Sequence, residues 1–179
     1  MRRGQDGSYR VALGGIVSAV CLAVMFLAGV MPALYIAAPM AAGMLMVILA
    51  EEVSRAWGWL TYLAVSLLSL IVIPDKEAAL MFILFFGYYP LLRGHLGRIP
   101  LRGLRLLAKL LLYHVFLIAD FLLTVYVLGL PTFEDTAAWM YAALIAAADL
   151  LFLMYDALLS RIGVFYRNYF VRRVLGRRK

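Results

Sequence analysis

VALGGIVSAVCLAVMFLAGVM, residues 11–31, is the stretch on which the fold class turns. It is free of charged side chains and follows Arg2, Arg3 and Arg10. A basic start before an apolar run also describes a signal peptide. This run, however, exceeds the apolar core of about 7–15 residues that such peptides carry, and further apolar runs follow it. It therefore reads as a retained first membrane helix, since a helix needs about 20 apolar residues to cross the hydrocarbon. The whole chain agrees: 66% of its 179 residues are hydrophobic and 15% charged, with a mean hydropathy of +0.94. A soluble domain is about 45–50% apolar and about 25% charged. The excess is too large for one water-facing globule to bury. A soluble enzyme domain, a disordered chain and a disulfide scaffold are all excluded, and the single cysteine, Cys21, lies inside the apolar run.

The expected fold is an all-α integral membrane protein, a bundle of six transmembrane helices forming one domain over 1–160. Its spans are expected at about 11–31, 34–50, 57–73, 76–92, 106–130 and 136–160. Glu51–Glu52 end the second span and Pro74–Asp75 the third. The fourth is short, and three explanations stand open: it starts at Asp75, it is tilted, or it breaks near Pro90, whose ring removes a backbone donor. Charge sets the orientation. With six spans, Arg2, Arg3, Arg10, Arg55, the group Arg93 to Lys109 and the group Arg161 to Lys179 share one side, which takes 16 of the 17 basic residues and leaves Lys76 alone on the other. Cytoplasmic loops carry the excess of Lys and Arg, so both termini are expected in the cytoplasm of a cell whose cytoplasmic membrane holds the chain. The formal charge of +7 is then a matter of membrane anchoring and gives no reason to expect nucleic acid as a partner. Arg98, Arg102, Arg105 and Lys109 make a basic stripe at helical spacing, and residues 161–179 read as a basic amphipathic tail. Both suit the headgroup layer of the lipid.

Inside the spans, a few residues stand out against their apolar surroundings. Asp120 and Asp149 lie about 15–18 Å from the outer ends of the fifth and sixth spans at ~1.5 Å per residue, which suggests a shared depth near the midplane. An intramembrane carboxylate is expensive and faces the bundle interior. Three outcomes are open: protonation with hydrogen bonds to Tyr113 or Thr124, binding of a cation or an amine-bearing ligand, or proton transfer. Asp156 continues the Asp149 face and could reach Arg161. At the outer rim, Tyr35, the connection Asp75, Lys76 and Glu77, and Trp139 are the candidates for contact with a solute, although Asp75 also suits a helix N-cap. In the first span Gly15, Ala19 and Ala23 recur every four residues beside a parallel ladder of Gly14 and Ser18, a pattern that lets helices approach closely. It can serve packing within the chain or docking of a partner subunit. His114 is a lone histidine, and no metal site is expected. There is no phosphate-binding glycine loop, zinc-protease helix or nucleophile elbow, so enzymatic activity and cofactors are not expected.

Six helices with both ends cytoplasmic, the ladder of Gly15, Ala19 and Ala23, and the helix end Phe86-Gly87-Tyr88-Tyr89-Pro90-Leu91-Leu92 before Arg93 together resemble the substrate-binding S components of energy-coupling factor (ECF) vitamin transporters. The resemblance implies a subunit that takes a vitamin or similar small molecule from outside. Its partners would be a membrane T component, meeting Gly15, Ala19 and Ala23, and two ATPase subunits. The pocket would open outward beneath the connections near Tyr35 and Asp75 to Glu77. The outer connections are short for a lid. Two other readings stand beside it: a structural scaffold of the cell envelope without transport, and a stand-alone proton-coupled carrier using Asp120 and Asp149.

Overall fold

The opening apolar run is helical in the computed structural model, which describes residues 2–129 and 138–165 and is all-helical across them. Helix α1 covers Arg2–Val30, and a 3-10 turn at Pro32–Leu34 leads out of it. Helix α2 covers Ala37–Glu52. Helix α3 covers Arg55–Val72, with the Ser54 hydroxyl accepting from the backbone N–H of Trp57. Helix α4 covers Lys76–Met81, a π-helical segment follows at Phe82–Phe86, and helix α5 covers Tyr89–Leu96. Helices α6, Arg102–Tyr126, and α7, Ala138–Phe165, complete the described chain.

Five of these stretches are long and apolar enough to cross a membrane: Gly7–Val30, Arg55–Val72, Lys76–Leu96, Arg102–Tyr126 and Trp139–Gly163. Only 17–39% of their apolar windows is buried inside the bundle, so most of the apolar surface faces outward, as a lipid-facing surface does. The protein is a multi-pass membrane protein. The remaining helix, α2, differs from the second expected span in both position and length. Its 16 residues make a rod of about 24 Å, against a hydrocarbon core of about 30 Å. It packs against α1, α3, α5, α7 and the π-helical segment, which makes it the central element of the bundle.

Three other boundaries move from their expected places. The irregularity of the fourth apolar stretch lies before Pro90. The Gly87 N–H bonds to the Phe82 carbonyl at 2.8 Å, and Pro90 sits in the first turn of α5, where a missing N–H is harmless. Two tyrosine hydroxyls take carbonyls of the π-helical segment, Tyr62 bonding Ile83 at 2.6 Å and Tyr155 bonding Phe86 at 3.3 Å. The basic stripe is not a separate surface helix: Arg102, Arg105 and Lys109 belong to the first turns of α6, and Arg98 precedes it. Helix α7 runs through the expected boundary at 160, and the rest of the basic tail lies outside the described residues.

The interior divides into two parts. Val17, Cys21 and Met25 of α1 meet Ala42, Met46 and Leu49 of α2, close enough for the Cys21 thiol to reach the Ala42 carbonyl at 3.4 Å. Around the π-helical segment, Phe85, Phe86, Tyr89, Tyr113, Phe116, Phe152 and Tyr155 form an aromatic cluster. Phe85 stacks on Tyr89 and Phe116 at 4.7 and 4.9 Å between centroids, and Tyr113 stacks on Phe152 at 4.7 Å. Gly43 lets α2 lie against this cluster, because a Cβ there would overlap the Phe86 carbonyl and the Tyr155 hydroxyl.

Candidate functional site

The two ends of the bundle have different chemistry. At the acidic end, where α1 finishes and α4 begins, Ala28, Gly29, Tyr35, Pro74 and Asp75 line an open cleft of about 410 Å³. One Asp75 carboxylate oxygen caps α4, accepting from the N–H groups of Glu77 and Ala78 at 3.0 and 3.2 Å. The Tyr35 hydroxyl lies close enough to the Glu77 carboxylate to feel its charge. Burial, and then that carboxylate, hold the hydroxyl well above the usual tyrosine range, so it stays protonated.

Asp120 interacts electrostatically with both Tyr35 and Glu77. It is 9% exposed, and its Oδ1, together with Thr124 Oγ1 one turn along α6, has no hydrogen-bond partner. The fold thus brings Tyr35, Asp75, Glu77, Asp120 and Thr124 to one end of the bundle from three separate parts of the chain. Lys76 is used differently: its ammonium bonds the Leu70 and Ile73 carbonyls at 2.8 and 2.7 Å and so caps the end of α3. Trp139 stands apart with 71% of its surface exposed.

Asp149 is staggered from Asp120. Its Oδ1 lies 3.8 Å from His114 Nε2, and the neighbouring Ala148 carbonyl accepts from the Tyr113 hydroxyl at 3.0 Å. His114 precedes Asp120 on α6 by six residues, about 9 Å along the axis. Counting from helix ends locates a residue along its own helix and carries no information about the stagger between helices. Tyr113, next to His114 on α6, is coupled electrostatically to both carboxylates.

A second polar cluster is at the basic end. Asp156 of α7 accepts from the Tyr89 hydroxyl, from Arg93 Nε and from Lys109 Nζ, each at 2.7 Å. Arg93 also bonds Ser160. The suggested Asp156–Arg161 contact is replaced by these partners on α5 and α6. The hints in the sequence were Lys109, an ammonium set well inside an apolar helix, and Arg93, which follows the aromatic run. They border a cavity of about 660 Å³ that Glu51, Arg55 and Arg105 also line.

On α1 the two small-residue ladders separate. Gly14 is buried near Thr61 and Ser18 bonds the Gly14 carbonyl, whereas Gly15, Ala19 and Ala23 are exposed. Among the described residues, no group of three or more His, Cys, Asp or Glu side chains could hold a metal ion. Comparison with family models, curated proteins and solved structures gives no match to this chain.

Proposed function

We propose that the protein is a membrane-embedded solute-binding subunit of a multi-component importer of the ECF type, and that its solute carries a protonated amine or comparable cation. The observation that carries this reading is the buried Asp120 carboxylate, with an oxygen left unbonded and coupled electrostatically to Glu77 and to Tyr35, which lines the cleft together with Asp75. An uncompensated carboxylate in such surroundings is costly, and a cationic group would offset that cost. The topology that goes with the proposal has six spans, with α2 among them shielded from lipid by its neighbours. The basic end is cytoplasmic and the cleft opens to the outside of the cytoplasmic membrane. The exposed stripe of Gly15, Ala19 and Ala23 offers a close-approach face to a T component, whose ATPase partners would supply the energy.

A panel of vitamins and amines tested by thermal shift on the purified protein examines the reading, because a ligand that binds only the folded state raises the melting temperature. A cationic solute is expected to stabilise the wild type and to lose about tenfold or more in affinity in Asp120→Asn, given that hydrogen bonds to charged groups are worth about 1.5–3 kcal/mol. Absence of any stabilising solute across the panel would remove the importer reading. A specific feature favours the rival scaffold reading in that event: the aromatic cluster around Phe85 packs the π-helical segment, α5, α6 and α7 together.

A further inference from the structure

We infer that the cavity at the basic end is a binding site for a phosphate group, a monoester or diester, independent of the solute cleft at the opposite end. The cavity measures about 660 Å³, within the range of about 300–1,000 Å³ occupied by small-molecule sites. Four cations line it, Arg55, Arg93, Arg105 and Lys109, against two carboxylates, Glu51 and Asp156. They come from α3, α5 and α6, and therefore approach an occupant from different directions. That arrangement suits an anion with several oxygens, and arginine in particular matches phosphate through its planar fork of donors.

The cations are also positioned before any ligand arrives. Asp156 holds Arg93 and Lys109 at 2.7 Å, which limits their side-chain freedom and reduces the ordering cost of binding. The Arg55 guanidinium lies over Gly94, where a Cβ would come within 2.6 Å of its Nη2, and its Nη1 is 3.5 Å from His95 Nε2. The Arg105 guanidinium makes no ion pair or hydrogen bond among the described residues. Its charge remains available. Gly94, Gly97 and Gly163 border the same cavity and leave room beside the arginines. The site lies among helix ends at the basic face, the level at which basic pockets between membrane helices meet lipid headgroups. A headgroup phosphodiester and a free phosphate ester present the same chemistry to it.

The experiment uses the full chain in two arms. In the first, lipid-stripped protein in neutral detergent is titrated with inorganic phosphate against chloride at matched ionic strength. In the second, the protein is reconstituted in phosphatidylcholine alone or in phosphatidylcholine with phosphatidylglycerol. Melting temperature is read throughout. The wild type is expected to be stabilised in at least one arm. Arg105→Gln and Arg55→Gln are each expected to weaken that binding about tenfold without moving the melting temperature of the unliganded protein, and Arg105→Lys is expected to retain most of it. Stabilisation confined to the phosphatidylglycerol arm assigns a lipid headgroup; stabilisation by inorganic phosphate assigns a free phosphate group. No stabilisation in either arm overturns the inference, as does stabilisation that both glutamine variants retain in full. Failure of the amine panel on the solute cleft would leave this result unaffected.

Discussion

Replacing Asp156 with asparagine keeps the size of the side chain and removes its charge, which isolates the role of the ion cluster at the basic end. The carboxylate receives bonds at 2.7 Å from Tyr89, Arg93 and Lys109 and so ties α7 to α5 and α6. Lys109 is 8% exposed, and in Asp156→Asn its ammonium stays buried without a counter-charge. Removing one partner of a buried pair costs about 3–5 kcal/mol. Side-chain exposures of 19% for Asp156 and 25% for Arg93 place this case at the lower end, about 3 kcal/mol. Lys109→Met is expected to cost less, about 1.5 kcal/mol, because Asp156 keeps Arg93 and Tyr89. The double variant is then cheaper than the sum of the singles, with a coupling of about 1–2 kcal/mol. Equilibrium unfolding by SDS in mixed micelles, followed by circular dichroism, measures all three. If Asp156→Asn falls within about 0.5 kcal/mol of wild type, or the two substitutions simply add, the cluster does not hold the helices together and the reasoning fails.

The other stability predictions concern backbone contacts. Gly43→Ala is expected to destabilise by about 1–3 kcal/mol, since the added methyl meets a backbone carbonyl at Phe86 and the Tyr155 hydroxyl; Gly15→Ala, with nothing within 4 Å of the new Cβ, should be neutral or slightly stabilising in the same unfolding assay. Lys76→Met removes the ammonium from the end of α3 and is expected to cost about 0.3–1 kcal/mol, while solute affinity by thermal shift stays at the wild-type value; a large loss of affinity would return Lys76 to the solute site.

Much of the architecture was legible in the residues themselves. Hydropathy over 11–31, 57–73 and 106–130 locates helices that the fold contains as α1, α3 and α6, because each must satisfy its own backbone and face an apolar solvent along its length. Asp75 read as an N-cap and is one. The second and fourth stretches were less well placed. The shortness of α2 reflects its position among neighbours that cover it, and the π-helical turn at Phe82–Phe86 depends on Tyr62 and Tyr155 reaching its carbonyls from α3 and α7. Neither condition is written in local periodicity. For the site, Tyr35, Asp75, Asp120 and Thr124 were named from the sequence and share one end of the bundle, whereas Asp149 belongs with His114 and Lys76 with the end of α3.

Amino-acid order alone determined that this chain lives in a membrane, roughly where most of its helices run, and that its positive charge gathers in short segments between and after the apolar runs. These properties are sums over neighbouring residues set against the surrounding solvent. Tertiary structure decided which polar groups meet: Asp156 with Arg93 and Lys109, Tyr35 with Glu77 near Asp120, and Asp149 with the His114 ring. Such pairings depend on the rotation and stagger of each helix against the next, and those are set by packing among side chains far apart in the chain, above all around Gly43 and Phe85.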